Sequence, residues 1–105
     1  MRNFLSLIMA LFVFATTSVA FATKGQIVYC KNDYYIVIAT NNGYTCGNIF
    51  GLAPWNLSRG DYVAGELESY GTHEIYDISI DDSFSLWIDE YWMNADRAMD
   101  WIERH

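Results

Sequence analysis

The chain has 105 residues, which suffices for one domain, and its formal net charge is −7. Hydrophobic residues make up 52% and aromatic residues 17%, so a packed core is within reach despite the short length. A negative field of this size repels phosphate backbones and anionic lipid surfaces, which argues against nucleic-acid and membrane-surface binding.

Residues 1–22 have the three-part pattern of an export signal. Arg2 precedes an apolar run over residues 4–15, and small residues follow up to Ala20-Phe21-Ala22, an Ala-x-Ala cleavage site. The apolar run is shorter than the roughly 20 residues that a bilayer core requires, so we expect no stable membrane insertion after cleavage. The sequence therefore predicts a periplasmic or secreted protein with one mature domain over residues 23–105. That domain carries 5 basic and 13 acidic residues, a net charge of −8.

The first part of the mature chain predicts a β-hairpin. Residues 26–29 form a short strand candidate, and residues 31–33 either turn the chain or bulge within one long strand. Residues 34–39 are β-branched or aromatic except Ala39, which is typical of a strand. Asn41-Asn42-Gly43 follows, and Asn-Gly between two apolar runs is a strong hairpin signal. Residues 44–50 are then the returning strand.

The stretch from Gly60 to Tyr91 alternates between apolar and polar residues with a period of two. Such alternation indicates antiparallel strands with one face in the core and one in water. The predicted core rows of the three strands are Val63, Gly65 and Leu67; Tyr76, Ile78 and Ile80; and Phe84, Leu86 and Ile88. We expect Ile78→Ala to cost about 2–5 kcal/mol of stability, and Asp77→Ala to change little. Turns are predicted at residues 69–72 and 81–83.

The end of the chain changes to helical periodicity after the 51–59 loop, which contains the one proline. Asn94 is a suitable N-cap for a helix over residues 94–104. A helix of about ten residues is unstable alone, so it must dock on the sheet. Its expected apolar face consists of Ala95, Ala98, Met99 and Ile102, with Trp101 at the edge as an anchor.

These elements predict a mainly β fold (α+β by content). We expect a small antiparallel five- to six-stranded curled sheet, or an OB/SH3-like barrel, with one C-terminal helix. The phrase Gly60-Asp61-x-Val63-x-Gly65-x-Leu67 resembles the turn and strand of OB-fold and S1-type barrels over eight residues. The resemblance implies a barrel. It does not imply nucleic-acid binding, because the basic surface that such domains use is missing here.

Cys30 and Cys46 are the two cysteines of a chain that we expect in an oxidising compartment, so the sequence predicts a disulfide. If Asn42-Gly43 is the hairpin turn, Cys46 lies opposite Ala39, far from Cys30. The bond therefore requires the chain to bend near residues 31–33.

Two acidic pairs, Asp81-Asp82 and Asp89-Glu90, are candidates for charged contacts or for a calcium ion. Neither pair has EF-hand spacing, so we predict solvated carboxylates and no metal or other cofactor. His73 and His105 lack a nucleophile or acid at a catalytic spacing, and we expect both at the surface.

Trp55, Tyr62 and Trp87 are candidates for exposed aromatics that contact a sugar or a protein. The alternative, which we favour, is that the helix and the 51–59 loop cover them. Residues 60–105 form an acidic half with 12 carboxylates against Arg97 and Arg104, a net charge of −10. The sequence is most consistent with an exported, non-catalytic binding domain whose acidic half engages a cationic protein, in the manner of an inhibitor or adaptor. An oligosaccharide-binding barrel is the alternative, and a carboxylate-based hydrolase is a remote one.

Overall fold

The computed structural model describes residues 23–105, and the export signal predicted over residues 1–22 lies outside them. The described chain forms six strands and one helix: β1 (Thr23–Lys31), β2 (Tyr35–Thr40), β3 (Gly43–Phe50), β4 (Tyr62–Gly65), β5 (Gly71–Asp77), β6 (Asp82–Met93) and α1 (Ala95–Arg104). The strands close into an antiparallel barrel in the order β1-β2-β3-β6-β5-β4, because β4 pairs with both β5 and β1. The predicted small barrel with one C-terminal helix is confirmed.

Two hairpins build the first half of the barrel. Between β1 and β2, Asn32 and Asp33 adopt positive φ values of 58° and 54°, which these residue types tolerate better than most. Between β2 and β3, Thr40 pairs with Gly43, so the turn consists of Asn41 and Asn42. Gly43 has φ of 135°, and a Cβ there would lie 2.8 Å from the carbonyl oxygen of Met93. Glycine is therefore required where this turn approaches β6.

The barrel interior is filled by side chains from all six strands and from the segment after β4. Each of them is at most 3% exposed, and they form one continuous cluster: Ile27, Ile36, Ile38, Ile49, Val63, Leu67, Ile75, Phe84, Leu86 and Ile88. The period-two prediction is confirmed for the rows that begin at Val63 and Phe84. At Gly47 a Cβ would collide with the carbonyl oxygen of Trp87, so this glycine lets β3 and β6 approach closely.

The predicted core row of β5 is wrong. Ile75 and Asp77 are fully buried, whereas Tyr76 and Ile78 are 41% and 44% exposed. The strand ends at Asp77, and the alternation continues into the turn over residues 78–81, where Ile78 is exposed as Tyr76 is. The pattern misled because a carboxyl group occupies a core position here and an isoleucine occupies the turn. For the same reason, a large stability cost of Ile78→Ala is no longer expected.

A second apolar layer lies outside the barrel, between α1 and strands β2 and β3. We call it the outer layer, and it consists of Val37, Cys46, Met93, Ala98, Trp101 and Ile102. Trp101 anchors the helix, because its Nε1 donates to Asp89 Oδ2 at 2.8 Å. Asn94 caps the helix by accepting from the Arg97 amide at 2.9 Å, as predicted. The predicted helix face is correct in part, since Ala95 and Met99 are exposed.

Candidate functional site

Four exposed aromatic side chains lie on the outside of four successive strands. Phe50 on β3, Trp87 on β6, Tyr76 on β5 and Tyr62 on β4 are 62%, 46%, 41% and 58% exposed. We call this set the aromatic band. Because a six-stranded barrel curves strongly, Phe50 and Tyr62 lie toward its flanks, and Trp87 and Tyr76 form its centre. The alternative that the helix and the 51–59 loop would cover Trp87 and Tyr62 is therefore wrong.

Polar groups surround the centre of the aromatic band. Trp87 lies directly opposite Asn48 on β3 and Thr72 on β5. The Tyr76 hydroxyl donates to Asp81, and this hydrogen bond raises the pKa of the tyrosine. Indole and phenol rings, an amide and carboxylates are thus presented together on one side of the barrel.

Of the predicted binding residues, the structure brings Tyr62, Trp87 and Asp81 to this side, on strands β4 and β6 and the turn before β6. Asp82 begins β6 opposite Asp77 and follows the alternation of Phe84 and Leu86, so it is exposed at the end of the barrel and not beside Trp87. Trp55, which is 94% exposed, instead lies in the 51–59 loop, outside the band strands.

The second acidic pair lies further along β6, just beyond Trp87. Asp89, two residues after Trp87, accepts the hydrogen bond of Trp101, and Glu90 lies opposite Cys46 of the outer layer. Asp82 and Asp89 are seven positions apart on β6, roughly 23 Å along an extended strand. Within residues 23–105, no group of three or more His, Cys, Asp or Glu side chains is placed to hold a metal ion.

Cys30 and Cys46 are free thiols, so the predicted disulfide is wrong. Cys30 pairs with Ile36 and Cys46 pairs with Val37, which are neighbours on β2. Neighbouring strand residues point to opposite faces, so Cys30 packs against the barrel interior and Cys46 lies in the outer layer. Burial raises the pKa of Cys30, and burial with nearby carboxylates raises that of Cys46 to about 12. Both therefore stay protonated at neutral pH.

A buried pair of carboxyl groups, Asp61 and Asp77, has no counterpart in the sequence pattern. Asp77 Oδ1 accepts from the Ser79 amide at 3.0 Å, whereas its Oδ2 is buried with no donor in the described chain. Asp61 lies beside it and accepts from the Ser58 amide at 3.0 Å. Two carboxylates cannot hydrogen-bond to each other unless one is protonated. Burial of Asp77, hydrogen bonding between its carboxyl group and that of Asp61, and repulsion from the Asp61 charge raise the pKa of Asp77 to about 7.

A second unpredicted cluster surrounds Glu68. Its Oε2 accepts from Asn42 Nδ2 at 2.7 Å and from Trp92 Nε1 at 2.9 Å. Trp92 has φ of 60° and is 64% exposed, and its ring meets that of Tyr91 edge-on. A bulge in the β3–β6 pairing turns Trp92 outward. The Glu68 carboxylate accepts hydrogen bonds from donors of the protein itself, so the cluster has a structural role: it connects the β2–β3 turn and β6 to the segment after β4.

Sequence reasoning missed both clusters for physical reasons. Asp77 looked like a solvent-facing residue between Tyr76 and Ile78, whereas the inward face of β5 is the one that carries Ile75 and Asp77. The bulge that presents Trp92 has no marker, since a glycine would be the usual residue at positive φ.

No protein-family model, curated protein or solved structure matches this chain. Within residues 23–105, no helix is both long and apolar enough to cross a membrane. The geometry of the described residues is therefore the basis for any functional assignment.

Proposed function

We propose that this protein is a non-catalytic binding module that holds a basic protein surface against the aromatic band. The observation that carries the proposal is that the exposed rings of Trp87 and Tyr76, and the Asp81 carboxylate bonded to Tyr76, lie on one outer side of the barrel. Aromatic faces attract lysine and arginine side chains, and neighbouring carboxylates add charge complementarity.

Uncompensated negative charge supports a basic partner. Residues 23–105 have a net charge of −8, and the one ion pair among them joins Arg104 to Asp100 at 3.2 Å. Carboxylates without an internal cation keep their long-range field, which accelerates encounter with a positively charged protein and is screened by salt. The predicted export signal would place this partner outside the cytoplasm.

The extent of the band favours a macromolecular partner over a small molecule. Thr72 lies level with Trp87, and Tyr76 is four residues further along β5, roughly 13 Å away. A protein surface can contact rings at that separation at once, and exposed aromatic residues of this kind are enriched at protein interfaces.

Site-specific photocrosslinking tests the proposal. A photoreactive amino acid at Thr72, beside Trp87, should capture one basic protein in the producing cells, with less capture as salt is raised. The same group at Arg97, exposed on α1, is the control and should capture nothing. Trp87→Ala should abolish capture at Thr72. A partner of net negative charge, or equal capture at both positions, would contradict the proposal.

Oligosaccharide binding is a second candidate, favoured by the immediate neighbours of Trp87. Trp87 lies between Asn48 and Thr72 on the neighbouring strands, and an aromatic ring flanked by an amide and a hydroxyl suits a sugar. Asn48 Nδ2 donates to the Tyr34 hydroxyl at 3.2 Å, so its amide oxygen is the group that a sugar hydroxyl would meet. Titration with neutral oligosaccharides at low and high salt separates the two candidates. Sugar binding would be insensitive to salt and weakened by Asn48→Ala, whereas a flat response across a broad panel would retire it.

A further inference from the structure

A groove of about 320 Å³ runs between α1 and the barrel, away from the aromatic band. Its walls are apolar: Val28 and Val37 come from the strands, and Ala98, Met99 and Ile102 come from the helix. Arg59 stands among them as the one charged side chain in the lining. Tyr29 and Tyr44 also line it, and a mostly apolar pocket of this size with a few polar groups is typical of a small-molecule site.

The groove exists because α1 covers part of the apolar surface beneath it. The helix packs chiefly on β3 and β2, where Trp101 and Ile102 are buried, and the side toward β1 stays open. A register shift in β1 between Ile27 and Tyr29 places Val28 against the outer layer. Met99, which belongs to the apolar face of the helix by spacing, remains 55% exposed at the groove.

The local charge indicates what the groove would hold. Residues 23–59, which supply its strand side and Arg59, carry three basic residues against Asp33, a net charge of +2, and the helix wall over residues 95–104 carries a net charge of −1. Among the side chains that line the groove itself, the one charge is that of Arg59. Arg59 is exposed, and the one ion pair among residues 23–105 lies elsewhere, between Arg104 and Asp100. Its guanidinium is therefore free to bind a carboxylate or phosphate with two parallel hydrogen bonds.

We propose that this groove binds a single-chain anionic amphiphile of the fatty-acid class, with the apolar chain along Val28, Ala98 and Met99 and the carboxylate on Arg59. A cationic amphiphile would bring like charge to the guanidinium. A second copy of the chain is opposed by the repulsion between two bodies of net charge −8. An added peptide strand finds no free edge, since the six strands close on themselves.

The test is an NMR titration of the isotope-labelled protein with dodecanoate below its micelle-forming concentration. The amides of Val28, Ala98 and Met99 should shift, and those of Trp87 and Thr72 on the aromatic band should not. Dodecyltrimethylammonium, which has the same chain and the opposite head charge, should bind more weakly.

A charge-matched pair of variants isolates the head-group contact. Arg59→Gln should weaken dodecanoate binding at least about tenfold, as expected for loss of the charge-assisted, two-bond contact with the carboxylate. Arg97→Gln, on the exposed side of α1, should leave the affinity unchanged. Equal losses in both variants would overturn the proposal, and so would tighter binding of the ammonium amphiphile. Concentration-dependent dimerisation that buries the groove and blocks binding would overturn it as well. These results do not depend on the partner of the aromatic band.

Discussion

The barrel interior and the outer layer under α1 are both apolar, but they differ in closure. The interior is enclosed by strands on every side, and its members are at most 3% exposed. The outer layer is covered on one side by a helix of ten residues and opens into a groove toward β1. From this difference we infer that the interior provides most of the stability of the fold. The outer layer leaves apolar side chains accessible in the groove, where a ligand could bury them.

Truncation inside the barrel should have the largest effect on stability. Ile75→Ala removes a fully buried side chain and should lower the free energy of unfolding by about 2–5 kcal/mol. Ile78→Ala, three residues later in the exposed turn, should cost less than about 1 kcal/mol. Urea denaturation of both variants measures the difference. Equal costs would mean that the interior does not end at Asp77.

Loss of the helix anchor should have an intermediate effect. Trp101→Phe keeps an aromatic ring in the outer layer and removes the donor to Asp89, which should cost about 1–3 kcal/mol. Trp87→Phe makes the same change on an exposed ring and should alter stability by less than about 0.5 kcal/mol. Thermal unfolding followed by circular dichroism compares the two. If the exposed substitution costs as much, the anchor is not what holds α1.

The difference between the layers could be predicted from sequence only in part. Strand β6 was readable because Phe84, Leu86 and Ile88 alternate with polar residues and Trp87. The inward face of β5 could not be predicted, because Asp77 is buried and Ile78 is exposed, the reverse of what is usual for these residue types. Both depend on tertiary contacts, namely the neighbouring Asp61 and the turn that follows the strand.

Strand alternation correctly placed Trp87 on the outer face of β6, but the expectation that the helix and the 51–59 loop would cover it was wrong. The positions of the two cysteines could not be predicted from the sequence. Their separation along the chain does not reveal that their cross-strand neighbours on β2, Ile36 and Val37, lie on opposite faces of that strand. The groove also could not be read from the helix pattern alone. That pattern identifies Met99 as apolar-facing but not which strands the helix leaves uncovered.

Protonation of Asp77 gives the barrel a smaller, pH-dependent contribution to stability. The folded state retains this proton up to about pH 7, whereas an unperturbed carboxyl releases it near 3.8. Between these values the unfolded state binds fewer protons, so the free energy of unfolding should fall as the pH rises. Asp77→Asn keeps a neutral group there, so the free energy of unfolding should depend less on pH. Relative to the wild type, the variant should become more stable as the pH approaches 7.

The exposed Asp81→Asn variant is the control for that experiment, since it also removes one carboxylate but should leave the pH slope unchanged. Denaturant midpoints measured across the window give the slopes. An unaltered slope in Asp77→Asn would mean that the buried carboxyl is ionised throughout.

Native-state amide hydrogen exchange tests the contrast between the two layers most directly. Amides of Ile49 and Leu86, in the strands that enclose the interior, should exchange only through global unfolding and share its free energy. The amide of Trp101 in α1 should exchange through a smaller local opening, because the helix is held by one partly covered layer. If its opening free energy equals that of Leu86, the barrel and the helix form one cooperative unit, and the proposed division between a stable interior and a weaker outer layer is contradicted.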